Sequence, residues 1–140
     1  MRWHFAAALA GLMVLLTAAC ETMGPNSDSG PDFERPGAIK VELDQLVLDR
    51  VSCIDGDKTD WKFFSVPSAT KVAVTFAFDE PSAGGTLAVH QPDGELMKTL
   101  KFVPGSRMTY EFDANEGFYY LEFYCESYKS EYTLEVTTPG

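Results

Sequence analysis

Apolar residues recur at every second position along most of the chain after residue 38. In the segment 71–78, one side of the alternation is entirely apolar and consists of Val72, Val74, Phe76 and Phe78. A two-residue period is typical of β-strands, because successive side chains point to opposite faces of a sheet. The pattern predicts eight or nine strands, within the segments 39–48, 51–54, 61–66, 71–78, 86–90, 96–102, 108–112, 117–125 and 131–137.

Turn residues separate these segments, as in Gln91-Pro92-Asp93-Gly94 between two of them. Pro and Gly at these positions are typical of a type I turn that joins two antiparallel strands. No helical period is sustained after the first twenty residues, and no internal repeat is present. Short strands at this spacing predict an all-β, antiparallel sandwich.

The segment 117–125, GFYYLEFYC, is the densest aromatic run of the chain. Both sides of its alternation are mostly apolar, which predicts a central strand rather than one with a wet face. Two interpretations stay open for its rings. Either all of them are core, or Phe118, Tyr120 and Tyr124 form an exposed platform for a sugar or a partner, because exposed apolar patches tend to mark contact sites.

The first twenty residues have the layout of a signal peptide: Arg2, an apolar stretch up to Leu16, then small residues and a cysteine. The sequence Leu16-Thr17-Ala18-Ala19-Cys20 resembles the lipobox of bacterial lipoproteins. The resemblance implies that residues 1–19 are removed and that Cys20 carries acyl chains, which anchor the protein to the membrane without spanning it. Glu21 rather than Asp after the cysteine favours the outer membrane. An ordinary secretory signal is the alternative.

Residues 21–37 contain three Pro, three Gly and no apolar period. This composition predicts a flexible, disordered tether, with a docking segment around Phe33 as the alternative. The expected organisation is therefore a signal peptide at 1–19, the lipidated cysteine and tether at 20–37, and a β-sandwich at 38–138. The whole chain is acidic, with 21 acidic against 11 basic residues and a net charge of −10, which argues against nucleic-acid binding.

Cys53 and Cys125 remain as a pair once Cys20 is lipidated. In an oxidising compartment such a pair predicts a disulfide, and two separate buried thiols are the alternative. Asp55, Asp57 and Asp60 lie in an acidic turn around Gly56, which makes them candidate calcium ligands. The alternative is that these carboxylates accept backbone hydrogen bonds in the turn.

Catalytic chemistry has little support in the sequence. His90 is the one histidine beyond the predicted signal peptide, and it precedes a turn in which a structural role is expected. One histidine and two cysteines that are expected to be bridged do not make a zinc site. No serine lies in a nucleophile elbow. We therefore expect no enzyme.

Three stretches in order resemble the bacterial pre-peptidase C-terminal (PPC) domain. They are DGDKTDWKFFSV at 55–66, LAVHQPDG at 87–94, and GFYYLEF at 117–123 followed by YTLEV at 132–136. The resemblance covers about residues 41–136 and implies a jelly-roll sandwich that is not catalytic, that binds matrix, polysaccharide or protein or aids the export of a neighbour, and that binds calcium in some members. This sequence departs from the family at Lys62, where an aromatic residue is usual, and in its pair of cysteines.

Two functions follow as expectations. The first is an envelope lipoprotein whose β-sandwich binds polysaccharide or peptidoglycan through its aromatic face. The second is a structural or assembly lipoprotein that binds another envelope or exported protein. Exposure of Phe118, Tyr120 and Tyr124 on one face would favour the first. Burial of these rings beside an open sheet edge would favour the second.

Overall fold

The computed structural model describes residues 31–103 and 105–139, so the predicted signal peptide, Cys20 and most of the tether lie outside the described residues. Nine strands follow two short 3-10 helices, Pro31–Phe33 and Arg35–Gly37. The strands are β1 (Ile39–Lys40), β2 (Leu46–Ser52), β3 (Thr59–Val66), β4 (Thr70–Phe78), β5 (Gly84–His90), β6 (Leu96–Lys101), β7 (Arg107–Ala114), β8 (Gly117–Ser127) and β9 (Lys129–Thr137). The predicted all-β class and strand count are confirmed.

The strands form two sheets with a jelly-roll connectivity. One sheet has the order β1-β3-β8-β5-β6 and the other has the order β2-β9-β4-β7. From β2 to β5 the chain passes to the opposite sheet at each connection, which is the arrangement that two Greek keys produce. The predicted aromatic strand, β8, is indeed central, because it pairs with β3 on one side and β5 on the other.

The start of the sandwich differs from the predicted strands at 39–48 and 51–54. The chain pairs for only two residues in β1, and it does so parallel to β3, while all other strand pairs are antiparallel. It then crosses to the other sheet through a turn in which Asp44 has a φ of 61°. Residues 46–52 form one strand instead of two. The apolar alternation continues across this crossing, so the pattern alone does not mark it.

The core lies between the sheets and consists of the inward side chains of both. Leu87, Leu121, Phe123 and Tyr132 are fully buried, and Phe123 stacks on Tyr132 with ring centroids 4.2 Å apart. Burying apolar surface at about 25 cal/mol per Å² makes this contact region the main source of stability. The alternation that predicted the strands therefore also identifies the core-facing residues.

Cys53 and Cys125 form the predicted disulfide, with their Cα atoms 5.7 Å apart. Cys53 follows the end of β2 in the four-stranded sheet, whereas Cys125 lies in β8 of the five-stranded sheet. The bond therefore connects the two layers at one end of the sandwich.

The predicted tether ends earlier than expected. Residues 31–37 are not a free linker but pack on the sandwich as the two 3-10 helices, with Asp32 buried. Its carboxylate accepts a hydrogen bond from Lys62 of β3 at 2.6 Å. The high content of Pro and Gly predicted disorder in this segment. The ion pair between Asp32 and Lys62 cannot be recognised from composition, because its partners lie far apart in the sequence. Within the described residues, no helix has the length and apolarity to cross a membrane.

Candidate ligand-binding face

The outer faces of the two sheets differ in chemistry. On the four-stranded sheet, the outward positions of β7 and β9 carry charged and hydroxyl side chains, and Leu46 and Leu48 of β2 are the exposed large apolar side chains of this face. The outward positions of β3 and β8, by contrast, carry five aromatic side chains. We call this surface the outer aromatic face; its members are Trp61, Phe63, Phe118, Tyr120 and Tyr124.

The register between β3 and β8 brings these rings together. Phe63 lies opposite Tyr120, and the neighbouring pair places Ser65 opposite Phe118. The Phe63 ring lies 6.0 Å from that of Phe118 and 6.0 Å from that of Tyr120. Such spacings are typical of aromatic pairs that attract one another. The rings therefore hold each other in place on the surface.

Two of the five rings are well exposed. Phe118 is 53% exposed and Tyr124 is 41% exposed, while Trp61, Phe63 and Tyr120 are partly buried. The interpretation that all rings of the aromatic strand are core is therefore wrong for this side of β8. The interpretation as a platform for a sugar or a partner stays open, because Phe118, Tyr120 and Tyr124 lie on one outward-facing surface.

Polar groups lie among the rings. His90 of β5 is opposite Tyr120, and its ring centroid is 5.1 Å from that of Trp61. Its Nε2 lies 3.3 Å from Oε2 of Glu122, and its Nδ1 lies 3.3 Å from the carbonyl oxygen of Gly94. These contacts fix the orientation of the imidazole. The expectation of a structural role near the turn agrees with this geometry.

Arg35 comes from the segment that precedes β1. Its guanidinium carbon lies 4.2 Å from the centroid of the Tyr120 ring, which is a cation–π contact. The face thus combines aromatic rings with an arginine, a histidine and a glutamate. Apolar surfaces with a few placed polar groups are typical of ligand sites.

Sequence reasoning found three of these residues and missed the others. Trp61 and Phe63 stood at alternate positions of a predicted strand, but their place beside β8 depends on which strands are neighbours. The contact between His90 and Glu122 likewise depends on β5 being the neighbour of β8. Arg35 lay in the predicted tether and carried no signal.

A second cluster of polar side chains is buried between the sheets, at the edge formed by β2 and β3. Lys62, 2% exposed, donates hydrogen bonds to Asp32 and to Asp49 of β2. Nearby, the hydroxyl of Tyr132 donates to Oδ2 of Asp60 at 2.7 Å. Buried charges of this kind persist only when they are paired and hydrogen-bonded. The ammonium of Lys62 therefore compensates the carboxylates around it.

Burial shifts the pKa values in this cluster. It raises the pKa of Asp60 to about 8, against the attraction of Lys62, with Asp49 adding to the rise. The pKa of Tyr132 is raised well above its usual value by burial and by the charges of Asp60 and Asp49. Burial lowers the pKa of Lys62, but the charges of Asp49 and Asp60 and its hydrogen bonds outweigh this effect, so its pKa is raised. Lys62 is therefore a permanent cation at neutral pH.

The structure does not bring the three predicted calcium ligands together. Asp55 is exposed, and its carboxylate accepts a hydrogen bond from the Ser52 hydroxyl at 3.0 Å rather than from a backbone N–H. Asp57 is buried and pairs with Ser52 through the backbone. Asp60 faces the interior, because the alternation of β3 turns it inward.

Among the described residues, the carboxylates that approach closely enough to share a cation are Asp32, Asp49 and Asp60. The ammonium of Lys62 already contacts two of these three. Calcium requires six to eight oxygen ligands, and a bound ammonium competes for the same oxygens. The residues present therefore do not fit a calcium site, either in the turn or in this buried cluster.

Comparison with known proteins supports a PPC-like fold. No family model and no curated protein sequence matches the chain. Among solved structures, the chain is similar to the PPC domain of a collagenase from Bacillus anthracis, with a TM-score of 0.59 and 26% identity over 71% of this chain and 93% of that chain.

Two family 35 carbohydrate binding modules show a weaker overall similarity. One, from an environmental isolate, has a TM-score of 0.45 and 16% identity over 59% of this chain and 66% of that chain. The other, from Clostridium thermocellum, has a TM-score of 0.43 and 14% identity over 77% of this chain and 97% of that chain. The described part of the chain is a PPC-like β-sandwich.

Proposed function

We propose that this chain is a non-catalytic binding module that recognises a polysaccharide of the cell envelope, such as peptidoglycan, through the outer aromatic face. Cys20 would carry the lipid anchor that holds the module at the outer membrane. The single observation that carries the proposal is the difference between the two outer faces. The outer face of the four-stranded sheet carries charged and hydroxyl side chains with two exposed leucines, and the outer face of the five-stranded sheet presents five aromatic rings.

The aromatic rings suit a sugar polymer for a physical reason. Exposed apolar rings lower the solubility of a protein. A surface that nevertheless carries several of them is typical of a contact site, where a ligand covers the rings. Phe118, Tyr120 and Tyr124 lie on the same side of β8. Phe118 and Tyr120 are about 7 Å apart along the strand, and Tyr124 lies about 13 Å beyond Tyr120, with Glu122 between them. Flat rings in a row offer stacking surfaces to successive sugars, and His90 and Glu122 offer hydrogen-bonding groups beside them.

The non-catalytic part of the proposal is supported by the state of the polar groups. The His90 ring is held between Glu122 and the Gly94 carbonyl, and the raised pKa of Asp60 belongs to a buried carboxyl on the other side of the sheet. A general acid or base must reach its substrate within hydrogen-bond distance, and buried Asp60 does not reach the outer aromatic face.

The test is binding of the full chain, purified in mild detergent, to isolated peptidoglycan sacculi and to soluble envelope polysaccharides. Replacement of Phe118 and Tyr124 together by Ala should weaken binding at least about tenfold, because central aromatic contacts dominate such interfaces. The matched control is Leu46→Ala with Leu48→Ala, which removes the exposed apolar side chains of the opposite face.

Equal weakening by both double variants would show that the loss is not specific to the outer aromatic face. No binding to any glycan, together with recovery of a stoichiometric protein from the envelope, would replace the proposal. The chain would then be a structural or assembly lipoprotein with a protein partner.

A further inference from the structure

Contacts with several residues hold the Arg35 side chain on the outer aromatic face. Its guanidinium lies on the Tyr120 ring, and Nη2 donates a long hydrogen bond of 3.5 Å to the carbonyl oxygen of Pro92. The turn around Gly94 leaves room for the group, since a Cβ there would lie 2.1 Å from Nη1 of Arg35. Asp32, three residues earlier, is held by Lys62. The position of this cation is therefore built into the fold.

The charge of Arg35 is not compensated by a carboxylate within the described part of the chain. Two other basic groups of the same sheet face acidic partners: His90 lies beside Glu122, and Lys101 is 3.8 Å from Glu126. An arginine has five N–H donors, and the contact with Pro92 uses one of them. The remaining donors of a half-buried guanidinium are thus available at the edge of the aromatic rings.

We propose that Arg35 binds the carboxylate of an acidic polysaccharide whose sugar rings pack on the outer aromatic face. This inference rests on the function proposed above and assigns the class of its ligand. The planar guanidinium donates two parallel hydrogen bonds to a carboxylate, a match that neutral sugars do not offer. The Tyr120 ring covers one face of the planar guanidinium and partly desolvates it, which strengthens such a bond.

The net charge of −10 does not prevent an acidic ligand from binding at this face. At physiological ionic strength the screening length is about 8 Å, and stacked sheets lie about 10 Å apart. The acidic side chains on the opposite outer face are therefore largely screened. The charges on the face itself then decide. Glu122 lies beside His90, and Arg35 is held on the Tyr120 ring.

The experiment measures the affinity of the full chain, in mild detergent, for polygalacturonate and for the same polymer after its carboxylates are reduced to alcohols. Arg35→Gln should weaken binding of the acidic polymer by about tenfold or more, because it removes a charged hydrogen-bond pair. It should leave binding of the reduced polymer unchanged. The control is Arg107→Gln, which removes an exposed arginine from the other sheet and should change neither affinity.

Phe118→Ala distinguishes this inference from the proposal on which it rests. Loss of binding to both polymers in Phe118→Ala, with Arg35→Gln affecting the acidic polymer alone, supports both. If Arg35→Gln has no effect on binding, or weakens binding of both polymers equally, Arg35 does not recognise the carboxylate. The ligand class assigned here is then wrong, while the proposed binding of polysaccharide is unaffected. If the unmodified chain binds neither polymer, the inference is overturned, and binding to sacculi then decides the proposed function separately.

Discussion

Lys62 occupies a position that points into the core of the sandwich, where an apolar side chain would be the ordinary choice. Three carboxylates make its burial possible, and two of them accept its hydrogen bonds. Removing one partner of such a group leaves buried charge without compensation, which is more costly than removing the whole set. The residue therefore stabilises the fold only as a member of the cluster.

Replacement of Lys62 by Met tests this dependence. The variant should lose about 3–5 kcal/mol of the free energy of unfolding, because Asp32 and Asp49 stay buried without their cation. Adding Asp32→Asn and Asp49→Asn to the same variant should restore much of the loss, since the uncompensated charges are then gone. Urea unfolding followed by circular dichroism measures all three proteins.

The matched control is Lys71→Met, a lysine exposed on the outer face of the other sheet. Its free energy of unfolding should stay within about 0.5 kcal/mol of the unmodified protein. A Lys62→Met protein that is as stable as this control would contradict the role given to the cluster, as would a triple variant that is no more stable than Lys62→Met alone.

At the scale of elements, β8 was the most predictable strand and β1 the least. Alternation in β8 separates Leu121 and Phe123, which are core, from Phe118 and Tyr124, which are exposed. The alternation assigns these residues to two sides of the strand, but both sides are mostly apolar, so the sequence left open which rings are exposed. The neighbours of β8 are not local: β3 and β5 are far away along the chain, and only their register brings Trp61 and His90 to the same face.

The candidate site was therefore predictable in part. The three β8 residues follow from one strand's pattern. Trp61, Phe63 and Glu122 require the strand order, and Arg35 requires a segment whose composition resembles a flexible linker. The three candidate calcium ligands lie apart for a related reason. Spacing along the turn does not show that β3 begins at Thr59 and directs Asp60 inward.

The disulfide links two elements that are distant in sequence, with a separation of 72 residues. Closing a loop of this size restricts the unfolded chain and contributes about 4 kcal/mol in the chain-entropy model. We expect reduction by dithiothreitol to lower Tm by at least about 10 °C, measured by thermal unfolding. The variant with Cys53→Ser and Cys125→Ser should show the lower Tm and no response to the reductant. An unchanged Tm after complete reduction, checked by thiol titration, would refute this expectation.

At the scale of the whole molecule, the proposed lipid anchor at Cys20 would determine where the outer aromatic face meets its ligand. A Cys20→Ala variant of the full chain should leave the membrane fraction of its own envelope, because each buried methylene of an acyl chain contributes about 0.8 kcal/mol to membrane binding. Sedimentation and detergent extraction measure the change. Cys53→Ser is the control, since it removes a cysteine of the sandwich and should stay in the membrane fraction. A Cys20→Ala protein that still sediments with membranes would show that lipidation is not what holds it.

The segment 31–37 has a mechanical consequence. Any tension that reaches the sandwich from its N-terminal side enters at Pro31 and meets the Asp32–Lys62 ion pair and the β1–β3 hydrogen bonds before it reaches the core. Both contacts transfer the load to β3, whose other edge is paired with β8 along its full length. Strain on the chain is thus carried along the strand that borders the outer aromatic face, and the contact between Lys62 and Asp49 passes part of it to β2 of the second sheet. The first event under force is then the release of Arg35 and its neighbours, with the sandwich still intact.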